Sequence, residues 1–66
     1  MMLEQYFGRQ VVAETDNRKI FRGPVIDYCT PDENDNQKES IIIRDVHTQS
    51  LVELYESDLK SIEIMK

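Results

Sequence analysis

The stretch Ile20 to Ser40, IFRGPVIDYCTPDENDNQKES, decides the fold. Its first part reads as one long strand: Phe21, Gly23 and Val25 share one face, and Ile20, Arg22, Pro24 and Ile26 share the other. Gly23 leaves room for a sharp bend, and Pro24, which has no N–H, belongs where no ladder partner is required. A strand with apolar residues on both faces and a bend in its middle can serve both layers of a small β-barrel. Thr30-Pro31 ends it, and PDENDNQKE follows with no apolar residue in nine positions, a solvated loop.

Outward from this stretch the pattern stays β-type. Upstream, QVVAET (10–15) alternates with Val11 and Ala13 on one face, and Asp16-Asn17-Arg18-Lys19 turns the chain into a hairpin. Before it, Leu3, Tyr6 and Phe7 fall at i, i+3 and i+4, which predicts a short N-terminal helix ending at Gly8 that packs as a lid. Downstream, Ser40 to Arg44 is the third strand. Its unbroken Ile41-Ile42-Ile43 predicts that Ile42 is also covered, by the N-terminal helix or a neighbouring subunit. Leu51 to Glu56 is the fourth strand, with Val52 and Leu54 inward. Ser57 to Lys60 is a one-turn link that plugs the barrel with Leu59, and Ser61 to Met65 is the fifth strand. The expectation is a mainly β domain spanning residues 1–66, a small five-stranded SH3-like barrel with a short N-terminal helix.

Composition narrows the function classes. At 66 residues the chain is one domain with little room for a large cavity. A single cysteine, Cys29, forms no internal disulfide, and no apolar run approaches the roughly 20 residues that span a bilayer. The opening MMLEQYFGRQ lacks the basic and apolar regions of a signal peptide, so a cytoplasmic protein without a membrane partner is expected. A net charge of -5, with 13 acidic against 8 basic side chains, weighs against dedicated phosphate-backbone binding.

The chemistry-bearing residues form no complete set. Asp32, Asn34 and Asn36 alternate like calcium ligands, but an EF-hand's glycine and bidentate glutamate positions hold Gln37 and Ile43. Cys29 and His47, with Asp27 and Asp45 nearby in sequence, lack the helix end or oxyanion donors that would activate a thiol. One cysteine and one histidine make no zinc site, and two glycines make no phosphate loop. No cofactor, no metal site and no enzymatic activity are expected. Tyr28 and Tyr55, with Arg22 and Arg44, could form an aromatic-basic patch suited to stacking or peptide capture, although a tyrosine at a barrel rim is more often a packing residue with its hydroxyl in water.

Val11-x-Ala13-x-Thr15, a turn, and Phe21-x-Gly23-x-Val25-x-Asp27-Tyr28 together resemble the first half of an Sm-like domain, the family of Sm, LSm and Hfq proteins. LVELYESDLKSIEIM is similar in pattern to that family's second motif. The whole chain also resembles small uncharacterised bacterial proteins that share the acidic loop and a VELYE…IKSIEI-like ending. The resemblance implies an Sm-like barrel, a homo-oligomer assembled through strands four and five, and single-stranded RNA held at the first loop. That loop, short in the family with an Asp and an Asn, here is longer and carries Asp35 and Asn36. The link between strands four and five, Arg-Gly in RNA-binding members, is Glu56-Ser57. A carboxylate there reverses the sign that phosphate requires and removes the forked donors and stacking plane of a guanidinium. The candidate binding residues are therefore Tyr28, Asp35, Asn36 and Tyr55. The expected role is that of a non-enzymatic interaction or assembly module with itself or a protein partner, and the alternative is a divergent Sm-like RNA binder.

Overall fold

The computed structural model describes residues 2–65. Strands β1 (Gln10–Thr15), β2 (Ile20–Cys29), β3 (Ser40–Arg44), β4 (Leu51–Tyr55) and β5 (Leu59–Ile64) form one antiparallel sheet in the order β4-β3-β2-β1-β5. β2 serves both halves, as its two apolar faces require. Its first half pairs with β1, from Glu14↔Ile20 to Gln10↔Pro24, and its second half pairs with β3, from Val25↔Ile43 to Cys29↔Ser40. A register shift between Val25 and Asp27 marks the changeover, and Ile26 is turned out to solvent there.

Thr15 N–H bonds Lys19 O at 2.9 Å, so the alternation of the antiparallel ladder puts Arg22 and Pro24 at positions whose N–H directions face away from β1. Pro24 has no donor to lose there. Arg22 N–H finds the Asp45 carboxylate at 3.2 Å, and Arg22 O accepts from Val46 N at 2.8 Å. Asp45 is buried, and its second oxygen accepts from the Thr48 backbone and hydroxyl, closing the β3–β4 turn. A side chain thus continues the ladder where β3 has ended. The bend also brings backbone against backbone: a Cβ built on Gly23 would lie 2.0 Å from the Arg44 carbonyl oxygen.

The core gathers Leu3, Val11, Ala13, Val25, Ile41, Ile43, Leu54 and Leu59 on the concave face, with Tyr6, Phe21, Tyr28, Val52, Ile62 and Ile64 packed around them. The N-terminal segment Leu3–Tyr6 is a single 3₁₀ turn, in keeping with the instability of so short a helix. Leu3 is fully buried and anchors it, whereas Phe7 is 56% exposed and takes no part in the predicted apolar stripe. Ile42 faces the opposite side of the sheet from the N-terminal turn, between Asp27 and Glu53, and is only half-covered. The N-terminal helix expected to cover it does not do so.

The predicted closure of a barrel is not found. β4 and β5 stand at the two ends of the sheet order and do not pair with each other. The link Glu56–Asp58 runs between them: Asp58 Oδ2 accepts the Tyr55 N–H at 3.1 Å, and Asp58 O accepts from Asp16 N at 3.0 Å. The link thereby occupies an edge donor of β4 and carries the chain across to β1, where Leu59 pairs with Thr15.

Two expectations follow. Gly23→Ala loses about 3 kcal/mol or more in urea unfolding, because the obstacle is a backbone carbonyl, while Gly8→Ala, at φ 79° with nothing within 4 Å, loses only about 1 kcal/mol. The Arg22 N–H, helped by Thr48 and His47 against burial, holds the Asp45 carboxyl below its usual value of 3.8. A lowered folded-state value contributes stability that is complete above the unfolded value and lost as pH falls through the folded one. Asp45→Asn therefore melts below the wild type at neutral pH, and the gap between their melting curves narrows progressively below about pH 4.

Candidate functional site

Register decides which of the four candidate residues meet. Tyr28 lies across from Ile41, which lies across from Leu54, so Tyr28 belongs to the core side of the sheet. Cys29, Ser40 and Tyr55 form the next row and point to the other side. Tyr28 and Tyr55 are thus on opposite faces and form no common patch. Arg44 shares a face with Tyr55 but sits at the far end of β3, opposite Leu51.

Tyr28 is half-buried against the core, and its hydroxyl donates to Glu39 Oε2 at 3.2 Å. The other Glu39 oxygen accepts the Leu3 N–H. One carboxylate thus ties the N-terminal turn to the end of the acidic loop. Desolvation, followed by the hydrogen bond to Glu39 and the charges of Glu39, Glu4 and Glu33, raises the Tyr28 phenol above its usual value.

Tyr55 has different surroundings. Glu53 raises its phenol most, followed by burial, the hydrogen bond to Glu53 Oε1 at 3.4 Å, and the charges of Asp35 and Asp58. Asp35 and Tyr55 are therefore brought into one neighbourhood, across the acidic loop and β4. Asn36 is a turn residue, its Oδ1 accepting from Lys38 N at 3.1 Å. Asn34 donates to Lys38 O at 2.6 Å and to Ser40 Oγ at 3.1 Å. Of the oxygens that alternate along the loop, Asn36 Oδ1 is thus taken by a backbone N–H inside the turn.

A network escaped the sequence reading. Ser40 is fully buried and its hydroxyl donates to Glu53 Oε2 at 2.9 Å, while Glu53 Oε1 accepts from the Tyr55 hydroxyl. Asn34, Ser40, Glu53 and Tyr55 thus join the acidic loop to β3 and β4. The one available signal was the cross-strand diagonal from Ser40 to Glu53, which appears only once the register of β3 against β4 is known.

Cys29 and His47 lie beyond the two ends of β3, a strand about 16 Å long, Cys29 paired with Ser40 and His47 in the turn after Arg44. Among the described residues no three His, Cys, Asp or Glu side chains gather as a metal site, and no helix is long and apolar enough to cross a membrane. The surface around Tyr55 offers a phenol hemmed by carboxylates, which favours cationic groups and repels phosphate.

Both shifted phenols are neutral in the fold up to higher pH than in the unfolded chain. Their contribution to stability is complete below the usual tyrosine value of about 10 and is lost as pH rises through the folded values. Ultraviolet titration of phenolate is expected to show ionisation above that of free tyrosine, and Tyr28→Phe and Tyr55→Phe are each expected to remove one late-titrating group. Comparison with protein-family models, with curated proteins and with solved structures returned no match for this chain.

Proposed function

We propose that this chain is a non-enzymatic assembly module of the SH3-like/Sm-like type that self-associates by strand addition at its fourth and fifth strands. The observation that carries this reading is that β4 and β5 are the two end strands of a single sheet, each with one edge that no other strand among the described residues pairs. The hydrogen bonds Asp45 N to Ser50 O and Glu56 N to Glu39 O fix the alternation of the β3–β4 ladder. They leave Leu51 and Glu53 with N–H and C=O groups directed away from the sheet. The bonded pairs Met65 N to Gln10 O and Thr15 N to Lys19 O leave Ile62 and Ile64 in the same situation on β5.

Neither edge contains a proline, and Leu51 is 59% exposed. Unpaired edge groups of this kind are templates for a second strand. The order of a short N-terminal turn, a bent shared second strand and a one-turn link before the fifth supports the Sm-like form of the reading. Glu53, Asp35 and Asp58 around Tyr55 work against the alternative, uridine-type RNA binding, because phosphate affinity needs concentrated positive charge.

Light scattering of the purified chain across concentration is expected to give a mass several times 7.8 kDa. Leu51→Lys, which sets a charge on the β4 edge without touching the core, is expected to shift that mass toward the monomer. A strict monomer at every concentration overturns the proposal.

A further inference from the structure

Where the sheet fails to close, the β1–β2 hairpin and β4 leave a groove of about 380 Å³ lined by Thr15, Asp16, Asn17, Lys19, Phe21, Leu54 and Asp58. Its volume falls at the lower end of the range for binding pockets, about 300–1,000 Å³, which suits side chains and not a folded surface. Phe21 and Leu54 both belong to or border the core, so the apolar floor is a part of the core left open on one side. The rim is held in place. Asp16 N–H bonds Asp58 O at 3.0 Å, Thr15 Oγ1 bonds the Asn17 side chain, and Lys19 N bonds Thr15 Oγ1 at 3.1 Å.

Charge selects the occupant. Asp16 and Asp58 stand on the rim against a single Lys19, and no ion pair among the described residues joins Lys19 to either of them. The field of Asp58 together with that of Asp35 also reaches the Tyr55 phenol, so the negative potential extends over this end of the molecule, and the chain as a whole carries -5. An apolar floor beneath carboxylates complements a side chain with an apolar stem and a cationic head, the form of arginine and lysine.

We infer that the groove between the β1–β2 hairpin and β4 docks an arginine or lysine side chain, flanked by apolar residues, from a partner polypeptide. The groove borders the β4 end of the sheet through Leu54 and Asp58, and the inference concerns the groove of a single chain.

The probe is a blocked pentapeptide Gly-Leu-Arg-Leu-Gly, titrated against the wild-type chain and followed by backbone amide NMR shifts. Expected is saturable movement at Thr15, Phe21, Leu54 and Asp58, weakened by added salt, retained with lysine and lost with glutamate or norleucine in place of arginine. Asp16→Asn, at an exposed residue that lines the groove outside the core, is expected to weaken binding about two- to fivefold, as is Asp58→Asn, which keeps an acceptor for Tyr55 N–H. Lys19→Gln is expected to tighten it by a similar factor, a change of sign that mere loss of folding does not produce. Equal binding of the norleucine peptide, absence of shifts at the groove, or a simple diamine (1,5-diaminopentane) binding as tightly as the peptide overturns the inference. The titration is repeated on the Leu51→Lys chain, whose β4 edge carries a charge, so that these outcomes are read apart from self-association.

Discussion

The fold turns on the approach of two backbones, Gly23 of β2 and Arg44 at the end of β3. With only 2.0 Å between a notional Cβ and the Arg44 carbonyl oxygen, no side chain fits at this position. That contact lets β2 leave β1 and join β3 within a single strand, so a chain of 66 residues encloses a core with five short strands. The bend leaves Arg22 with backbone groups that no strand satisfies, since β3 has ended. Asp45 and Val46 supply the missing acceptor and donor. Glycine and aspartate are thus two halves of one device, the first permitting the crossing and the second completing its hydrogen bonds.

Acidic side chains carry out similar work elsewhere. Glu39 accepts from Leu3 N–H and the Tyr28 hydroxyl, Glu33 from Thr30 N–H and Oγ1, and Asp58 from Tyr55 N–H. Each holds an irregular segment to the sheet. In a domain too small for a large core and without a disulfide, charge-assisted bonds to backbone donors fix the turns that apolar burial cannot reach. The acidity of the chain is therefore partly architectural. One carboxylate serves both ends, since Asp58, which accepts the Tyr55 N–H, also lines the groove beside Asp16.

Much of this was legible in the sequence. Period-two alternation located the strands, Gly23-Pro24 located the bend, and a run without apolar residues located the loop, because each is a local consequence of its own residues. Three things were not legible, and all depend on register. Tyr28 and Tyr55 fall on opposite faces because the bulge near Ile26 and the pairing through Ile41 and Ser40 set their parity, and one residue of slip would exchange it. The buried link from Ser40 to Glu53 joins residues 13 apart in sequence that become neighbours only across strands. The open sheet leaves β4 and β5 at opposite ends of the order, a pairing across the whole chain that alternation does not encode.

Asp58 also sets limits on any assembly through β4. By taking the Tyr55 N–H it leaves Leu51 and Glu53 as the outward donors of a five-residue strand, so a partner strand gains few backbone bonds there. Each such bond nets only about 1 kcal/mol, too little to hold two chains at ordinary concentrations against the freedom they lose. Stable association at this edge accordingly requires side-chain burial alongside the backbone pairing, and the exposed Leu51, on the face away from the core, is the apolar side chain placed to provide it. By capping Tyr55 the link residue thus shortens the β4 edge, and a shorter edge offers fewer groups to indiscriminate strand addition.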